Sequence, residues 1–130
     1  DLAIVLTGAT LVFVWLGGGY DGTTVGTLLL ALPLIAVFAA VNAANEEFQT
    51  RNAILATFEP LAGGATTALI SAFIFGSWHF AGTPGGIIGA AMAGLAGWLW
   101  ARSMVETRGM LAAWALHLLQ DLVIFAALLA

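Results

Sequence analysis

The chain has no cysteine and no lysine, and its 130 residues carry only three basic and seven acidic side chains. Without cysteine there are no disulfides and no thiolate metal centres. Three arginines against seven acids give a formal charge of −4, which excludes a nucleic-acid-binding role. Charged residues make up 8% of the chain, against about 25% in soluble domains. A water-soluble globular fold is therefore excluded as well. What remains is 62% hydrophobic, with sixteen glycines and a mean hydropathy of +1.04. Apolar runs of roughly 18 to 25 residues alternate with short polar or glycine-rich breaks, the pattern of helices that cross a hydrocarbon core about 30 Å thick. The expected fold is all-α, a polytopic transmembrane helix bundle. The expected setting is a multi-pass integral membrane protein, with the bilayer as its solvent.

The runs are taken in order. Leu2 to Leu16 is a first membrane helix, stopped at Gly17-Gly18-Gly19, and Tyr20-Asp21-Gly22 is a turn with Tyr20 at headgroup level. The chain opens on Asp1 with no basic signal-peptide start, and is expected to be a segment of a longer polytopic chain with further N-terminal helices. Thr24 to Phe58 is too long for one straight span, at about 52 Å. Pro33 offers the division, which leaves a spanning helix from Pro33 to Phe58 and a bent lead-in before it. Under this reading Glu46 and Glu47 fall near mid-membrane; a helix ending at Asn42 would leave them in a surface loop. After a break at Glu59-Pro60 and Gly63-Gly64, a helix runs from Ala65 to Phe80, stopped at Gly82 to Gly86. Ile87 to Ala101 follows, with small residues suited to close helix packing and with Trp98 and Trp100 as interface anchors. Arg102 to Arg108 reads as a charged loop, placed on the cytoplasmic side by its arginines. Gly109 to Ala130 is the last helix.

Counting helix rise inward from these ends puts Glu46 at about 20 Å, His79 at about 22 Å, His117 at about 14 Å and Asp121 at about 20 Å. Four polar groups thus fall at comparable depth in a chain that has only two histidines. Ionisable groups at such depth are costly and face a bundle interior or a water-filled cavity. Glu47 and Arg51 are four apart with the acid first, the favourable order for a helical ion pair. Glu46 is turned about 100° from Glu47 and is left to face the cavity. His117 and Asp121 share a face at the same spacing, as do Phe75 and His79.

A carboxylate in apolar surroundings is suited to accept a proton from water, and an imidazole with a nearby acid can support a developing oxyanion and protonate a leaving amine. The alternative is zinc, with Glu46, His79, His117 and Asp121 as an N/O donor set that keeps an open position. No His-Glu-x-x-His is present. Ser71, Ser77 and Ser103 have no evident base partner, although Ser77 is near His79 in sequence.

Glu46-Glu47-x-x-x-Arg51, Phe75-x-x-x-His79 and His117-x-x-x-Asp121, in that order on successive apolar helices, resemble the signature of the CPBP (or Abi) intramembrane proteases, which include the type II CAAX prenyl proteases. The resemblance covers Pro33 to Ala130 and leaves residues 1–32 as an N-terminal membrane helix and lead-in. It implies an intramembrane endopeptidase with its active site inside the membrane, acting on a membrane-associated protein or peptide, and leaves open whether that substrate is lipid-modified or carries a C-terminal sorting signal. Carried over by motif, Glu46 activates water with His79, and His117 and Asp121 lie on the oxyanion side. Glu47, Arg51 and Phe75 are supporting residues. The resemblance leaves the cofactor open between zinc, bound by Glu46, His79 and His117, and none. Asp121 stands where the prenyl-protease branch usually has asparagine; ionised, it cannot donate a hydrogen bond to an oxyanion. It must then be protonated, orient His117 or bind metal, and CAAX specificity is not assumed. Two other functions share these residues: a proton- or ion-coupled transporter, and a non-catalytic immunity or scaffold protein of the same fold.

Overall fold

A computed structural model describes residue 5 and residues 7–12, 22–82 and 85–129. Among these, helices account for all regular structure and there is no strand. Residues 7–12 are helical, whereas the rest of the expected first helix, its glycine stop and Tyr20 lie outside the described residues, as do Thr83 and Pro84. The helices are α1 (Gly22–Glu47), a π-helical turn (Phe48–Asn52), α2 (Ala53–Ala62), α3 (Gly64–Trp78), a 3-10 turn (His79–Ala81), α4 (Gly86–Thr107) and α5 (Leu111–Leu129). They fall into two compact units, Asn45–Trp114 and Asp1–Ala44 with Ala115–Ala130.

The expected division at Pro33 is not made. Pro33 lies inside α1 and Pro60 inside α2. A helix-interior proline removes one hydrogen bond without ending a helix whose flanks are strongly apolar. The irregularity falls instead at Phe48–Asn52, where the Ala53 N–H reaches back five residues to the Phe48 carbonyl. The glutamates sit within helix and no loop opens at Asn42, so the surface-loop alternative is overturned. Among the described residues two stretches are long and apolar enough to cross a membrane: Val25–Ala62, 38 residues with mean hydropathy 2.2, and Leu111–Leu129 with 1.8. Their outward side chains are large and apolar, among them Leu29, Leu30 and Phe38. Such faces suit lipid rather than water.

The Asn45–Trp114 unit is built around a hairpin. Gly63 adopts φ +77°, ψ 156°, which joins α2 to α3 at an angle open only to glycine, and its N–H bonds the Glu59 carbonyl at 2.9 Å. Among the described residues, helices α3 and α4 pack more extensively than any other pair. A Cβ at Gly76 would come 2.6 Å from the Ala90 carbonyl oxygen and 3.0 Å from Gly94 Cα, so the two backbones approach to a distance that no side chain permits.

The expected loop from Arg102 to Arg108 is helical through Thr107, because Arg102 and Glu106 pair one turn apart at 2.7 Å and continue the helix on its polar face. Arg108 ends it in the left-handed conformation and bonds Glu59 at 2.9 Å, which brings the connection after α4 to the side of the one between α2 and α3. These helix ends alter the counted depths. From Ala62 and Gly64, Glu46 and His79 lie about 24 and 22 Å in, whereas His117 and Asp121 lie about 9 and 15 Å from Leu111. Equal depth by counting holds for the first two alone.

Candidate active site

Arg51 is a fully enclosed charge in the Asn45–Trp114 unit. Its side chain and that of Glu47 are both inaccessible to solvent, with Nη1 3.1 Å from Glu47 Oε1. Nη1 also donates to Thr50 Oγ1 at 2.5 Å, and that hydroxyl donates to the Glu46 carbonyl at 2.7 Å. The Thr50 carbonyl accepts from the buried Ser71 Oγ at 2.6 Å, which ties the π-helical turn to α3. Among the described residues Nε and Nη2 have no hydrogen-bond partner. They are covered by aromatic rings: the guanidinium carbon lies 4.0 Å from the Phe75 ring centre and 4.9 Å from that of Trp100. A cation desolvated against two π faces recovers part of its hydration energy there. Gly97 makes the space, because a Cβ at that position would lie 2.9 Å from Phe75 and 3.4 Å from Arg51 Nη2.

Glu46 and His79 are the partly exposed members of this unit. Consecutive helical positions diverge by about 100°, so burying Glu47 against Arg51 turns Glu46 to another face. Stepping one turn from the Thr50–Ser71 bond along each antiparallel helix brings Glu46 and Phe75 level, with His79 one turn beyond. His79 ends α3, its ring 4.4 Å from that of Phe75 and its Nδ1 2.9 Å from the Phe75 carbonyl oxygen. A carbonyl only accepts, so Nδ1 carries the hydrogen; in the neutral ring Nε2 is then the acceptor. Ser77 donates to the Phe73 carbonyl at 2.7 Å and is thereby engaged away from a nucleophile's role.

In the other unit, His117 and Asp121 lie one turn apart on α5, 3% and 5% exposed. His117 Nε2 is 3.5 Å from Asp121 Oδ1, an ion-pair distance rather than a short hydrogen bond. The other carboxylate oxygen accepts from Asn42 Nδ2 at 3.1 Å. Asn42 was not among the residues expected from the sequence; an amide in an apolar helix four residues before Glu46 was the available signal. Trp100 and Gly97 were read for interface anchoring and packing, and their enclosure of Arg51 leaves no local trace. Gln120, beside Asp121, donates to Thr10 Oγ1.

Glu46, Glu47, Arg51, Phe75 and His79 thus belong to one unit, and His117 and Asp121 to the other. The zinc set of Glu46, His79 and His117 is divided in the same way. Within neither unit do three or more His, Asp or Glu side chains gather as a ligand set among the described residues.

Residues 26–123 match the family model of type II CAAX prenyl endopeptidase Rce1-like proteins, and all three motifs fall inside that span. No curated protein and no solved structure matches the chain. A match over this much of the sequence, from before Glu46 to beyond Asp121, is decisive for kinship, and with its two long apolar helices it marks a membrane protein. The chain belongs to the Rce1-like family of type II CAAX prenyl endopeptidases, a family of proteases.

Proposed function

We propose that the protein is an intramembrane endopeptidase, a multi-pass helix bundle whose active site lies within a prokaryotic cell membrane. Its substrate is a membrane-associated protein. Glu46 accepts a proton from a water molecule that attacks the scissile carbonyl carbon, with His79 holding that water through Nε2. The carbonyl electrons move onto oxygen, and His117 stabilises that oxyanion. Collapse of the tetrahedral intermediate breaks the C–N bond, and the proton held by Glu46 passes to the leaving amine.

The observation that carries this reading is the state of His79. Its Nδ1–H is engaged by the Phe75 carbonyl, which leaves an acceptor nitrogen on a partly exposed ring at the end of an apolar helix. Asp121, bonded by Asn42 on one oxygen and facing His117 with the other, supports the orienting role among those its replacement of asparagine left open.

The test is cleavage of a membrane-anchored reporter peptide in proteoliposomes. Glu46→Gln keeps the shape and loses the base, and lowers turnover roughly 1000-fold while the protein stays folded. Full activity in a folded Glu46→Gln variant would remove Glu46 as the base, whereas a folded native protein that cleaves no reporter would leave a scaffold or a transporter.

A further inference from the structure

We propose that Trp100, which lies outside all three motifs, is a positioning residue for the reaction. Acting through Phe75, it holds the His79 imidazole in the orientation and tautomer that leave Nε2 open to a proton. The proposal rests on the reading of His79 as part of the water-activating pair.

Trp100 is 4% exposed on α4. Its ring meets that of Phe75 edge-on, centroids 5.9 Å apart and planes at 69°. The Arg51 guanidinium lies over both rings. Arg51 cannot withdraw from the stack, because its Nη1 is held by Glu47 and Thr50. Phe75 is closed off on the α4 side: Gly97 stands so close that even a methyl group there would lie 2.9 Å from Cδ1 and 3.3 Å from Cβ. The phenyl ring is therefore confined by Arg51, Trp100 and the α4 backbone, and what it presents to His79 is a fixed wall.

His79 depends on that wall. It opens the 3-10 turn where α3 ends, so no continuing α-helix packs around it. The Phe75 ring, 4.4 Å from its own, and the Phe75 carbonyl both bear on its plane. If Phe75 shifts, the imidazole can turn about its own axis and the Nδ1–H bond is lost. Released, the ring equilibrates between tautomers, and in one of them Nε2 carries the hydrogen and cannot accept another. An edge-on aromatic contact biases such an equilibrium by up to roughly tenfold. The same chain of contacts assigns Gly97 a role: it sets the distance at which α4 delivers Trp100.

The experiment uses the full chain, labelled with 15N-histidine, in phosphatidylcholine–phosphatidylglycerol nanodiscs. Two histidines give two imidazole signals, assigned with a His117→Gln variant. The native protein should show His79 protonated at Nδ1. Trp100→Leu should yield a tautomer mixture and a roughly tenfold lower kcat with KM unchanged, and Trp100→Phe should recover both. Should Trp100→Leu fail to fold, Trp100→Met is measured in the same way. A folded Trp100→Leu or Trp100→Met protein with His79 still uniformly protonated at Nδ1 would overturn the proposal. The tautomer is read without substrate, so the spectrum decides the matter independently of catalysis. A His79→Gln variant that still cleaves would count against the proposed mechanism instead.

Discussion

The guanidinium carbon of Arg51 lies 4.0 Å from the centre of the Phe75 ring, so two motifs separated by a helix hairpin are joined by a single cation–π contact. The Glu-Glu-x-x-x-Arg motif and the Phe-x-x-x-His motif thereby form one packed object. One end is the buried pair of Glu47 and Arg51, and the other is the imidazole of His79. The support residues hold a charge in place so that an aromatic ring, and through it a histidine, is held as well.

Arg51→Met should be among the most destabilising substitutions in the chain. It leaves the Glu47 carboxylate in an enclosed site without its guanidinium, a change that costs about 3–5 kcal/mol for buried pairs. Denaturant titration in detergent micelles checks this. The double variant Glu47→Gln with Arg51→Met should recover part of the loss, because no uncompensated charge remains. A double variant as unstable as the sum of the singles would mean that the two residues do not act as a pair.

Asp121→Asn should be tolerated within about fivefold in turnover, because an asparagine oxygen can still face His117 and the Asn42 amide can turn to offer its own oxygen. Asn42→Leu should instead cost about 1–3 kcal/mol, since it strips a hydrogen bond from a buried carboxylate. Reporter cleavage and unfolding midpoints measured on both proteins separate the cases. A large stability loss in Asp121→Asn with none in Asn42→Leu would reverse the assignment.

Glycine substitutions should sort by what the new methyl group meets. Gly76→Ala drives a Cβ onto the Ala90 carbonyl and the Gly94 backbone, which cannot yield without parting α3 from α4. It should destabilise by about 1–3 kcal/mol. Gly26→Ala meets nothing within 4 Å on α1 and should stabilise by about 0.5–1 kcal/mol through helix propensity. Thermal unfolding in detergent reads both, and equal effects at the two sites would contradict the close approach of α3 and α4.

Chelation distinguishes the two sources of an activated water. With Glu46 as the base, exhaustive treatment with a zinc chelator should change reporter cleavage by less than about twofold. Loss of activity that returns on adding zinc, and with no other divalent ion, would replace the glutamate mechanism by a metal-dependent one.

Much of this protein is decided by the sequence alone. Its composition leaves only a membrane helix fold, and three motifs of ionisable residues mark where chemistry can occur. The four-residue spacing of Glu47 and Arg51 dictates their pairing, because both residues ride on the same helical face whatever surrounds them. For the same reason the spacing of Phe75 and His79 carries their ring contact. Tertiary structure decided what local periodicity cannot carry. Pro33 and Pro60 stay inside helices because the apolar segments around them gain more from remaining helical than one missing hydrogen bond costs. Trp100 and Gly97 close around Arg51, and Asn42 reaches Asp121, only once separate helices have packed. A spacing within one helix specifies a face, but which residue of another helix meets that face is set by the fit of whole surfaces.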